Sequence, residues 1–177
     1  MTASVSVPEN VTFEGAIAIA GSLLDGRETE TLSEDDFAAA VSELVQTSNG
    51  ARGFFVTYLT DDRAIADNAS VSTRKALESS PEIVSELLVK NIAMSTAMAI
   101  YHRRQQNEEM AASSDRVRSR CSRLIRALNL PALQPRLQQL LESAETGEGT
   151  YGDFLKRWGY DAEQRNAIAK SVRTINN

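Results

Sequence analysis

Apolar residues recur at helical spacing along most of the chain, and no two segments alternate in the way that paired strands require. Phe13, Ile17, Ala20 and Leu24 share one side of a first helix that Asn10 or Thr12 can cap, with Gly26 placed to end it. Ser33 followed by Glu34, Asp35 and Asp36 is a sharper start. It sets a hydroxyl cap and three carboxylates at a helix N-terminus, where free N–H groups and the macrodipole favour negative charge. Phe37, Val41, Leu44 and Val45 form the buried stripe of that helix, and Asn49-Gly50 is placed to stop it. Residues 51–60 are rich in strand formers, yet Phe54, Phe55, Tyr58 and Leu59 recur at helical intervals and a lone strand has nothing to pair with. The segment is therefore expected to be helical. A polar loop over 61–72, holding at most one helical turn, and a short helix near 73–78 follow.

Ser80-Pro81-Glu82 combines a cap, a proline at the first helical position and an acid in the first turn. It opens the longest predicted helix, over about 81–110, with a stripe of Ile83, Val84, Leu87, Leu88, Ile92, Met98 and Tyr101. Residues 93–99 are small on nearly every side, which lets neighbouring helices approach and marks this as the central helix of a bundle. Ser114-Asp115 is placed to cap a helix through Leu128, ended by Asn129-Leu130-Pro131. Leu137, Leu140 and Leu141 mark a helix stopping near Gly147, an aromatic helix spans 151–158, and a last one covers about 161–175. The expected fold is all-α: one domain over 1–177 with about seven helices around the central one.

Composition narrows the chemistry. A single cysteine, Cys121, excludes an internal disulfide and any multi-cysteine zinc site, and fits a reducing, cytoplasmic compartment. The apolar stretch over 16–24 lacks the basic flank of a secretory signal, and the one over 87–101 is interrupted by Lys90 and Asn91, so no membrane association is expected. The net charge of −5 is unevenly spread. Residues 1–62 carry two basic and eleven acidic side chains, residues 63–140 twelve and seven, and residues 141–177 five and six. Fifteen of the nineteen cations are arginine, whose planar fork suits carboxylate or phosphate pairing.

Several constellations carry candidate chemistry. Gly147-Glu148-Gly149-Thr150-Tyr151-Gly152 spells a dinucleotide-loop pattern, but it follows a helix where that loop must follow a strand, so it is read as a helix end and link. His102 lies four and eight residues after Met98 and Met94, on one side of the central helix. That is a spacing a copper or haem site can use, although two thioethers and one imidazole are not a closed ligand set and core packing is the preferred reading. Cys121 projects between Val117 and Ile125 and is expected to be a buried, inert thiol.

Arg116, Arg120 and Arg123 fall within about 60° of one another on a helical wheel, flanked by Arg118 and Arg126, and suit an anion or an acidic protein surface. A helix-turn-helix around Asn129-Leu130-Pro131 is a thin match, since Pro131 and Pro135 shorten the would-be reading helix. Tyr151, Phe154, Trp158 and Tyr160 gather four of ten aromatics near the C-terminus, either to dock a tail helix or, with Arg157, to anchor a partner.

With no enzyme constellation and no cofactor implied, the expected function is a non-catalytic cytoplasmic regulatory or adaptor protein. It would use helical interfaces, with a protein partner and self-association. The alternatives are an anion or nucleic-acid module on the arginine helix, and a small ligand or metal held beside the central helix.

Overall fold

The computed structural model describes residues 5–177, and among these every regular element is helical. Nine α-helices follow in order: α1 (Phe13–Glu28), α2 (Glu34–Leu44), α3 (Ser48–Thr60), α4 (Val71–Glu78), α5 (Pro81–Arg104), α6 (Glu108–Ala127), α7 (Leu133–Thr146), α8 (Gly152–Arg157) and α9 (Ala162–Asn176). One 3-10 turn, Ala64–Ala66, lies in the loop after α3. The excess over about seven comes from short helices such as α4 and α8. The chain forms two compact units, the first holding the chain up to Leu87 with Ala127–Leu130, the second Leu88–Arg126 with Pro131–Asn177.

In the first unit α1 packs chiefly on α3, and α2 on α4. The α1–α3 approach depends on Gly53, where a Cβ would collide with the Ala16 methyl and lie 2.9 Å from the Phe13 carbonyl oxygen. Phe54, Phe55 and Tyr58 are each only 1% exposed. Phe54 stacks on Tyr58 at 4.9 Å and meets Phe55 edge-on at 5.5 Å, so the strand-prone residues of this segment are the aromatic core of a helix. Arg63 ties the loop after α3 to the end of α1, contacting Asp61 and Asp25 at 2.7 Å and Glu28 at 3.0 Å. The bonds from Asp61 and Asp25 push the guanidinium further up from its already high pKa.

In the second unit the continuation of α5 contributes Ile92, Ala93 and Ala97, none of them exposed. Of its two buried hydroxyls, Ser95 donates to the Asn91 carbonyl of its own helix at 2.6 Å and Thr96 bonds to Ser171 of α9 at 3.2 Å, while Gln164 of α9 donates to the Ala97 carbonyl at 3.1 Å. α7 packs on α9, which opens with a capping box formed by Asp161 and Gln164. Arg104 bridges to Asp161 at 2.6 Å and to Glu163, and the first of these contacts holds the Asp161 carboxyl below its usual range.

Four boundaries depart from the sequence expectation. Gly26 lies inside the last turn of α1, where its carbonyl accepts from Thr31 and Leu32. Asn49 and Gly50 belong to the first turn of α3, capped by Thr47, and a Cβ on Gly50 would strike the Leu44 carbonyl. α5 stops at Arg104 instead of about 110, so Tyr101, expected in the buried stripe, is 47% exposed. α6 starts at Glu108, where the Asn107 side chain accepts from the Met110 N–H, and Ser114 sits inside the helix donating to the Met110 carbonyl. By length and composition α5 suffices to cross a membrane, with a mean hydropathy of 1.4, despite the interruptions at Lys90 and Asn91. With 56% of that window buried, the helix is read as a core element.

Candidate functional site

α8 is one and a half turns long, and its ends are fixed by glycines. Gly147 closes α7 in the left-handed region at φ 78°, its N–H bonded to the Ser143 carbonyl at 2.8 Å, and Gly149 is left-handed at φ 89°. The pattern that imitates a dinucleotide loop is thus a helix stop and a two-glycine link. Tyr151 is buried, its N–H donating to the Ser143 hydroxyl at 3.0 Å, and its ring meets Phe154 edge-on at 6.5 Å. Phe154 is half-buried beneath the Lys90 ammonium, 5.6 Å above its ring.

At the other end Gly159 takes φ 66°, its N–H bonding to the Lys156 carbonyl at 3.0 Å, while the Tyr160 N–H reaches the Leu155 carbonyl at 3.3 Å. This is a Schellman turn, with its usual apolar contact expected between Leu155 and Tyr160, both buried. The residue at the cap, Trp158, is left outside. It is 53% exposed, and Lys156 and Arg157 beside it are exposed too. The aromatic cluster therefore divides: Tyr151, Phe154 and Tyr160 dock the segment, and Trp158 does not.

The arginine helix is arranged differently from an open row. Arg120 is 1% exposed and lies among Cys121, Leu124 and Ile125, Arg116 is half-buried, and Arg123 is exposed. All three already interact within the chain. The three arginines thus differ in exposure: Arg120 is enclosed where Arg123 faces water and Arg116 stands between. Neighbouring charges are paired as well: Asp115 meets Arg103 at 2.6 Å and Arg118 at 2.8 Å, and Arg126 donates to the Thr174 carbonyl at 2.8 Å. Cys121 is fully buried, and that burial pushes its thiol far above the usual range, which disfavours the thiolate.

Met94, Met98 and His102 are half-buried, and the imidazole meets Tyr101 edge-on at 5.4 Å. Among the described residues no group of three or more His, Cys, Asp or Glu is placed to hold a metal ion.

A feature that the sequence did not suggest lies in the first unit. A cavity of about 230 Å³ opens between the end of α1, the start of α2, α3 and the loop leading into α4. Arg27, Glu34, Phe37, Tyr58, Asn68 and Thr73 are among its walls.

No curated protein and no solved structure matches the chain. A family model does match, over residues 12–175, nearly the whole helical fold. The chain belongs to the family described as Uncharacterised conserved protein UCP020893.

Proposed function

We propose that the protein is a non-catalytic cytoplasmic regulatory or adaptor protein that works through helical protein–protein interfaces, and that Trp158 anchors a contact by which it self-associates. The observation carrying this reading is the exposure of the chain's only tryptophan, 53%, at a turn whose other aromatics are packed. Tryptophan and arginine are the side chains most often found as interface anchors, and Arg157 stands next to Trp158. Exposing an indole to water without a compensating contact forgoes about 2–3 kcal/mol of burial, which a second surface can recover. The buried Cys121 and the solitary His102 supply no nucleophile with its base, which favours binding over catalysis.

No observation favours the anion-binding alternative on Arg116, Arg120 and Arg123, since Arg120 lies inside, nor the ligand or metal beside Met94, Met98 and His102.

Native mass spectrometry and sedimentation velocity of the wild type and Trp158→Ala test the proposal. The wild type is expected at a multiple of the 19.3 kDa chain mass and the variant at the monomer mass. Stability should stay within about 0.5 kcal/mol, as befits a surface substitution. A wild type that remains monomeric at about 100 µM, or a variant that assembles equally well, overturns it.

A further inference from the structure

Arg27 sits in the last turn of α1, and its Nη1 donates to the Leu32 carbonyl at 2.8 Å, tying down the turn after the helix. Among the described residues that is the guanidinium's one hydrogen bond, and no carboxylate lies within ion-pair distance of it. Arg63, in the same unit, is surrounded by three acids. A half-buried guanidinium is normally paired, because its five donors lose water on burial and a single carbonyl replaces only part of it.

Arg27 lines the cavity, and so do the buried rings of Phe37 and Tyr58 with the half-buried Ile65, which supply its apolar surface. The exposed Asn68 also lines the space, its side-chain amide bonded to none of the described residues, while Ser70 and Thr73 bond to each other at 3.0 Å. Glu34, exposed, lines the same space with no cation paired to it among the described residues.

We propose that this cavity binds a small organic monocarboxylate with an apolar or aromatic body, the carboxylate on Arg27 and Asn68 and the body against Phe37, Tyr58 and Ile65. A planar guanidinium offers two parallel donors to a carboxylate. At about 230 Å³ the space exceeds the roughly 150 Å³ that holds benzene, which leaves room for a ring and a short acid arm. It is below the roughly 300 Å³ at which cofactor-sized pockets begin. The Glu34 carboxylate lining the same space disfavours a second negative charge. The site lies wholly in the first unit and is independent of Trp158.

The test is an NMR titration of the full chain with 3-phenylpropionate and with its uncharged twin, 3-phenylpropionamide. The acid is expected to shift amide signals of Phe37 and of residues 68–73, and the amide to bind at least about tenfold more weakly. Arg27→Gln should bring the two ligands to equal, weak binding, and Trp158→Ala should change neither. Acid and amide binding alike to the wild type, or no shift at these residues at about 10 mM acid, overturns the proposal even if Arg27→Gln fails to fold.

Discussion

Tyr160 follows Gly159 back into the protein, and its buried hydroxyl has no hydrogen-bond partner among the described residues. Burial pushes the phenol up from 10.0 to about 12. Between those values the unfolded chain releases the proton while the folded chain keeps it, so stability present below pH 10 is lost progressively as pH rises through the window. Tyr160→Phe removes both the orphaned hydroxyl and the titration. The variant is expected to be more stable by about 1 kcal/mol in urea unfolding at pH 8, with the advantage growing by pH 11. A variant less stable at both values would show that the hydroxyl is satisfied.

The arginines mark where residue-scale reading ends. Apolar neighbours surround Cys121 on the wheel, and it is buried as they predict. Arg120 lies about 40° from Leu124 on that wheel, yet a charged side chain at the edge of an apolar sector can either reach out to water or be enclosed, and periodicity does not distinguish the two.

At the scale of elements, glycine marks a helix end at Gly147, as its place in the sequence predicts, but not at Gly26 or Gly50. The left-handed residue that closes α1 is Glu30, and the one that closes α5 is Gln106, both at φ 57°. Each makes a full Schellman turn: Thr31 N–H to the Gly26 carbonyl at 2.9 Å in one, Asn107 N–H to the His102 carbonyl at 2.9 Å in the other. A side chain in this region costs about 1–2 kcal/mol, partly offset in a glycine variant by the greater freedom of its unfolded chain. Glu30→Gly and Gln106→Gly are each expected to raise stability by about 0.5–1 kcal/mol, hence the melting temperature by about 1–4 °C, where Gly159→Ala should lower it. Unchanged or lower melting temperatures for both glycine variants would refute this account of the two turns.

The same turns explain the misplaced ends of α5 and α6. Asn107-Glu108-Glu109 is a start signal as good as Ser114-Asp115, and it was masked because Gln105 and Gln106 are ordinary helix formers. Stripes were the more legible feature. Phe37, Val41, Leu44, Phe54, Phe55, Tyr58 and Leu59 are all buried as the spacing predicts. The exposure of Trp158 was not legible, since spacing alone did not say which aromatic the Gly159 turn would leave outside. Nor was the cavity, whose walls come from positions between 27 and 73 that share no periodicity.

At the scale of the whole molecule, the division into two units has no counterpart in composition. Its boundary falls between Leu87 and Leu88, within the continuous helix α5, where no glycine, proline or serine-rich link interrupts the pattern. The first unit is also discontinuous in sequence, because Ala127–Leu130 returns to it. Leu128 and Leu130 are 7% and 6% exposed, and the Asn129 N–H donates to the Glu78 carboxylate at 2.7 Å. A chain ending at Leu87 would keep α1 to α4 but lose these two leucines, each worth about 2 kcal/mol of burial, and would leave about two turns of α5 with no continuation. Against a typical total stability of about 5–15 kcal/mol that loss is large. Such a fragment is expected to retain helical far-UV circular dichroism while losing its near-UV signal and binding a hydrophobic dye. A fragment with dispersed amide signals and a sharp cooperative melt would show instead that the first unit is specified by its first 87 residues alone, and that Ala127–Leu130 is an accessory to a core already complete.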